Sequence, residues 1–122
     1  VWLLVNLSQG EYRSFSPVIA LWLFAVPLID GTSTVLRRIL IGQSPFKADL
    51  SHFHHILIGM GLNPNLVLII IVLFSILMIF IGIIGVLKEI SEWKMFIGFI
   101  VMFIITCILK NLLIYKYNKY NL

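Results

Sequence analysis

The sequence predicts an all-α, polytopic membrane protein with three transmembrane helices, the end of a fourth, and one cytoplasmic His-rich loop. Three observations predict it. Of the 122 residues, 61% are hydrophobic and 11% charged, and the mean hydropathy is +1.07, more apolar surface than a soluble domain can bury. Residues 66–87 form a run of 22 without a charge; a helix of that length rises about 33 Å, enough for the roughly 30 Å hydrocarbon core. The basic residues, finally, stand at the ends of the apolar runs, where topology signals belong.

Each element follows in order. Residues 1–7 are apolar but too short to span, so they read as the end of a helix that begins upstream. The chain opens on Val1 rather than Met, and no basic stretch precedes the apolar one as a signal peptide requires. After a polar turn through Ser8, Gly10 and Ser14, Pro17 opens a helix over 17–38, proline being suited to the first helical position. Pro27, which has no N–H, should kink or break that helix. Residues 39–65 form the one substantial polar connection, and it holds all three histidines. Within it Asp49 can cap a short helix whose Phe53, Ile56, Leu57 and Met60 share one apolar face. Helices over 66–87 and 95–115 follow, joined by a tight loop of mixed charge. Lys110 interrupts the final turn and is expected to snorkel its ammonium to the interface, where Trp93, Tyr115, Tyr117 and Tyr120 would form an aromatic belt.

Counting basic residues orients the chain. One side holds Arg37, Arg38, Lys47, Lys110, Lys116 and Lys119; the other holds Arg13, Lys88 and Lys94, matched by Glu11, Glu89 and Glu92. The excess places the His-rich loop and the C-terminus in the cytoplasm. The net charge of +4 is scattered rather than gathered on one face, which argues against a nucleic-acid partner. A single cysteine, Cys107, permits no intramolecular disulfide and reads as a small core residue.

Three groups of residues can carry chemistry. His52, His54 and His55, preceded by Asp49, can ligate a metal, donate to phosphate oxygens or move protons, since imidazole changes charge near neutral pH. A closed zinc site needs a fourth ligand, for which Asp49 is the nearby candidate, and we assign no metal to this chain. Arg37 and Arg38 suit either anchoring at a cytoplasmic helix end or forked recognition of a diphosphate. Asp30 sits in a helix just before its cytoplasmic end, where a carboxylate is expensive, so it needs Arg37 or a group from another helix as a partner.

Taken together, Pro27-Leu28-Ile29-Asp30, Arg37-Arg38, Gly42-Gln43-Ser44-Pro45-Phe46-Lys47-Ala48-Asp49 and His52-Phe53-His54-His55 resemble the bacterial undecaprenyl-phosphate N-acetylglucosamine-1-phosphate transferases, a branch of the polyprenyl-phosphate sugar-1-phosphate transferase superfamily. Asn6-Leu7-Ser8-Gln9-Gly10 and Ser16-Pro17-Val18 add to the resemblance, which covers most of residues 1–65; residues 66–122 match as apolar helices only. The resemblance implies a polytopic enzyme of the bacterial inner membrane, of which this chain is the C-terminal third. Such enzymes transfer a sugar-1-phosphate from a UDP-sugar to undecaprenyl phosphate at the cytoplasmic face, initiating lipid-linked glycan synthesis with Mg²⁺. It further implies that His52, His54, His55, Arg37 and Arg38 bind the diphosphate, that Asp49 orients the loop and that Asp30 holds it against the helices. The Mg²⁺ ligands and catalytic carboxylates are expected in earlier loops, so the chain alone should be inactive. Two positions depart from the family: Leu50 stands where Arg usually follows the motif Asp, and Gly31 where Thr or Met is more frequent. A reading from another class is a small non-catalytic membrane subunit whose His loop binds a metal; with only Ser75 as a polar group along 66–87, a transport path is disfavoured.

Overall fold

The computed structural model describes residues 16–44 and 52–120, all helix and short connections. The expected helix end at 1–7, and Lys47, Asp49 and Leu50, lie outside the described residues. The elements are α1 (Pro17–Leu23), α2 (Ala25–Leu40), α3 (Phe53–Gly59), α4 (Pro64–Leu87) and α5 (Glu92–Tyr120).

Ser16 caps α1, its Oγ accepting from Val18 N–H at 3.4 Å, with Pro17 in the first turn. The helix expected over 17–38 is in fact two, bent by 80° at Phe24. The break falls three residues before Pro27, for a physical reason. In a continuous helix the Pro27 ring would press on the Leu23 carbonyl and leave it without a donor. Restarting at Ala25 puts Pro27 in a first turn, where no N–H is needed.

Glycine or its equivalent ends three of the helices in the same way. After α2, Gly42 (φ +70°) and Gln43 donate backwards to Ile39 and Arg38; after α3, Gly61 (φ +90°) and Leu62 donate to Ile58 and Leu57. After α4 the left-handed position is Glu89 (φ 51°), again with paired bonds, to Val86 and, from Ile90, to Gly85. Each is the double-bonded, left-handed helix stop that glycine adopts without strain.

Helices α4 and α5, of 24 and 29 residues, are long and apolar enough to cross a membrane; the bent pair α1 and α2 is a third candidate if it counts as one broken span. Asn63 caps α4 through Asn65 N–H. α5 runs past the expected 95–115 at both ends; toward the C-terminus no Gly or Pro follows Gly98 to stop it. Leu68, Leu73, Leu112 and many more large apolar side chains face outward on these helices. Such an outer surface suits hydrocarbon rather than water.

The core lies where α1 and the start of α2 meet α4 and α5: Val18, Trp22, Ala25, Ile29, Met78, Met95 and Phe99. Trp22 meets Phe99 edge to face, centroids 5.8 Å apart. Gly82 makes that approach possible, since a Cβ there would fall 2.6 Å from the Trp22 Cβ. Two aromatic and cationic expectations change. Tyr117 does not serve only as an interfacial ring; it lies against α3, where a Cβ on Gly59 would come within 2.8 Å of its ring. Lys110 does not snorkel outward: it is 2% exposed and turned into the bundle.

Candidate functional site

All the polar residues of α2 but the exposed Thr32 fall on one stripe. Asp30, Ser33, Thr34, Arg37 and Arg38 recur at helical spacing, and Ser33, Thr34 and Arg38 are buried while Leu36, Ile39 and Leu40 are exposed. The helix is therefore inside-out relative to a soluble one. Its buried polar groups need partners in a medium that supplies none.

Lys110, on α5, is the main partner. Its Nζ donates to Asp30 Oδ1 at 2.7 Å, Thr34 Oγ1 at 2.6 Å, Ser33 Oγ at 3.0 Å and the Asp30 carbonyl at 3.1 Å. The two hydroxyls in turn donate to that same carbonyl, at 3.0 Å from Ser33 and 2.8 Å from Thr34. An ammonium with three protons among four acceptors is fully satisfied. The expected partner of Asp30, Arg37 or a group from another helix, is thus the second.

Asp30 also reaches out of its helix. Oδ1 accepts from the backbone N–H of Phe53 at 3.0 Å, and Oδ2 lies 2.9 Å from His52 Nδ1. His52 is the N-cap residue of α3 but makes no side-chain cap bond. A carboxylate from α2 caps α3 in its place, satisfying one of the orphan amides of a helix start. With Nδ1 so engaged, the half-exposed His52 ring has Nε2 left to face a ligand.

The three imidazoles form one cluster. The rings of His52 and His54 stack at 6.1 Å, and those of His54 and His55 lie 4.0 Å apart. His54 titrates below the usual histidine value, because partial burial disfavours its charged form and His55 and His52 add like charge, against a smaller opposing pull from Asp30.

Beneath the cluster is a cavity of about 480 Å³ between α2, α4 and α5. Val26, Ile29, Ile71, Phe74, Met102 and Ile105 line much of it, with Asp30 and His54 at one end. Ser75 and Thr106 also border it, but their hydroxyls donate to Ile71 and Met102 of their own helices, so they present little polarity to the space. The arrangement is an apolar slot bordered by one imidazole, His54, and one carboxylate, Asp30, with the other two imidazoles adjoining His54.

Curated proteins similar to this chain include transferases of one named activity. The undecaprenyl-phosphate α-N-acetylglucosaminyl 1-phosphate transferase of Haemophilus influenzae is 38% identical over 103 residues, that of Pasteurella multocida 39% over 103, and that of Escherichia coli 34% over 104. Each match covers 84% of this chain. The chain is homologous to these transferases. It spans 29% of the length of the first two and 28% of the third. No family model matches the chain, and no solved structure does.

The site residues expected from the transferase resemblance are not all brought together. His52, His54, His55 and Asp30 are brought together, with His54 and Asp30 lining the slot and His52 and His55 beside His54. Arg37 and Arg38 stand two turns further along α2; Arg38 is buried and its Nη1 donates to the Ser44 carbonyl at 2.9 Å, tying the helix end to the loop. Among the described residues, no three His, Cys, Asp or Glu side chains are placed to hold a metal ion. Nor do the donors suit Mg²⁺, which wants oxygen ligands: the site offers imidazoles and one carboxylate with both oxygens engaged.

Lys110, Ser33 and Thr34 were missed in the sequence. Their signal was present. The rule that makes Asp30 notable, a charge inside an apolar helix, applies equally to Lys110, and Ser33 and Thr34 stand three and four residues from Asp30 on its face.

Proposed function

We propose that this chain supplies the diphosphate-binding loop of an enzyme that transfers N-acetylglucosamine 1-phosphate from UDP-N-acetylglucosamine to undecaprenyl phosphate. The observation that carries the reading is the cluster of imidazoles, anchored through His52 to Asp30, whose member His54 lines an apolar slot together with Asp30. A polyprenyl phosphate has the matching form, an apolar chain with an anionic head. In the reaction an oxygen of the lipid phosphate bonds to the sugar-bearing phosphorus of the UDP-sugar, the bond from that phosphorus to the bridging oxygen breaks, and UMP leaves with the electron pair.

His52 lies with Nδ1 on the Asp30 carboxylate, which leaves Nε2 to meet a phosphate oxygen. His54 and His55 supply further donors to the diphosphate; Arg37 and Arg38, two turns along α2 from that cluster, are assigned to it on the family resemblance alone, as is the orienting of the loop by Asp49. Two anions are thereby held together, the electrostatic demand of phosphoryl transfer. Mg²⁺ is held by carboxylates outside this chain, so the 122 residues alone do not turn over substrate. The site faces the cytoplasm of the bacterial inner membrane, and cysteines placed at Ser44 and Ser91 label from opposite sides, Ser44 from within. Labelling of both from one side would end the assignment of topology.

The decisive test grafts residues 1–122 into a complete transferase of the family in place of the homologous stretch. Against the active graft, His52→Ala, His54→Ala and His55→Ala each lower kcat/KM for the UDP-sugar about 10- to 150-fold, the loss of one hydrogen bond to a charged group. Mg²⁺ dependence stays unchanged. Unaltered kinetics in all three variants would remove the histidines from the substrate site, and loss of a bound transition metal would favour a metal-binding loop.

A further inference from the structure

We infer that Lys110 is a positioning residue for His52, acting through Asp30, so that the last helix of the chain sets the direction in which the His loop presents its donors. The inference rests on the transferase reading for its meaning in catalysis, but its geometry stands apart from it. Lys110 lies 80 residues from Asp30 and is 2% exposed.

Two functions are open to a buried lysine paired with a carboxylate: to bolt two helices together, or to fix the partner carboxylate for a task elsewhere. The bonds separate them. Lys110 takes Asp30 Oδ1 together with Phe53 N–H, which leaves Oδ2 directed at His52 Nδ1. Ser33 and Thr34 accept from the same ammonium and so pin it from the α2 side. The carboxylate rotamer is thus determined from both ends, and it hydrogen-bonds the bundle to the start of α3, whose N-cap residue His52 makes no side-chain cap bond of its own. Take away Lys110, and the Asp30 carboxylate keeps the Phe53 N–H and His52 Nδ1 as donors but loses the group that holds Oδ1 toward α5. His52 then has no fixed Nδ1 partner, and Nε2 no fixed direction. A displacement of about 1 Å at such a donor is worth about 100-fold in rate.

The test reads His52 directly. In the 122-residue chain labelled with ¹⁵N-histidine in lipid nanodiscs, His52 gives a hydrogen-bonded, slowly exchanging Nδ1–H resonance. Lys110→Met abolishes it; Lys110→Gln, which keeps donors but not charge, weakens its protection and carries the test should Lys110→Met fail to accumulate. Absence of the resonance in the wild-type chain overturns the inference, as does its persistence unchanged in a folded variant. In the grafted transferase Lys110→Met lowers kcat/KM about 10- to 100-fold, and adding His52→Ala to it costs little more, since both remove the same donor. Multiplicative losses would show that Lys110 acts on the fold and not through His52. A lost resonance with unaltered kinetics would leave the anchor standing and overturn its catalytic role, and with it the proposed function of His52.

Discussion

Removing the charge of Asp30 should destabilise the fold far more than removing the whole ion pair. The Lys110 Nζ and Asp30 Oδ1 are 2.7 Å apart, with side chains 3% and 19% exposed. At an effective dielectric of about 20 that separation gives an attraction of roughly 6 kcal/mol, much of it offset by the desolvation of both groups. Asp30→Asn leaves a buried ammonium without its counter-charge, and breaking such a pair costs about 3–5 kcal/mol. The residual exposure of Asp30 puts the expected loss near the lower end, about 3 kcal/mol. Lys110→Met should cost a similar amount. The double variant should not cost the sum of about 6 kcal/mol but about 1 kcal/mol, because a neutral replacement for a buried pair is often nearly neutral. The neighbours support that figure: Ser33 and Thr34 keep their bonds to the Asp30 carbonyl, and an asparagine oxygen can still cap Phe53. Reversible unfolding of the four proteins in one lipid or mixed-micelle system measures the cycle. Additive losses would mean that the two charges do not compensate each other, and the packing account of Lys110 would be wrong.

Other outcomes follow from single contacts. Gly82→Ala destabilises by about 1–3 kcal/mol, since the new Cβ meets the Trp22 Cβ at 2.6 Å, whereas Gly98→Ala, with the ring at 3.6 Å, is tolerated; unfolding midpoints compare them. Glu89→Gly stabilises by about 1 kcal/mol by relieving a left-handed residue, and an unchanged midpoint would show that Glu89 is unstrained. His54 is held below the ordinary 6.5, so the unfolded chain binds the extra proton first: its contribution weakens as pH falls below about 6.5, and His54→Gln flattens that part of the stability profile relative to the wild type. Leu50→Arg, restoring a cation beside Asp49, raises the affinity of the grafted transferase for the UDP-sugar, measured as a lower KM.

The long helices were legible because hydrophobicity alone decides them: nothing in residues 66–87 competes with a span. The break in 17–38 was legible in kind and displaced by three residues, since Pro27 announces a missing donor but does not say on which side the chain will restart. The site was legible one residue at a time. Asp30 and the histidines stand out by type, yet the bond that relates them runs from α2 to the first amide of α3, and no local pattern encodes a cap borrowed from another helix. Lys110 was misread through distance from the end of its helix: five residues from Tyr115 a lysine can reach the interface, and only the facing Ser33, Thr34 and Asp30 make the inward rotamer better.

The separation of Asp30 from Lys110 along the chain has a consequence in time. Ribosomes add about 5–20 residues per second, so the 80 residues between them take about 4 to 16 s to appear. Throughout that interval Asp30 has been made and its counter-charge has not, and an unpaired carboxylate near the cytoplasmic end of α2 opposes insertion, though by less than the roughly 2.5–3.5 kcal/mol of a position at the bilayer centre. α2 should therefore enter the membrane late or incompletely, and settle when α5 arrives. Nascent chains stalled before residue 110 would leave α2 open to aqueous reagents, and those stalled well beyond it would not, which makes the final helix a checkpoint in biogenesis as well as a wall of the finished site.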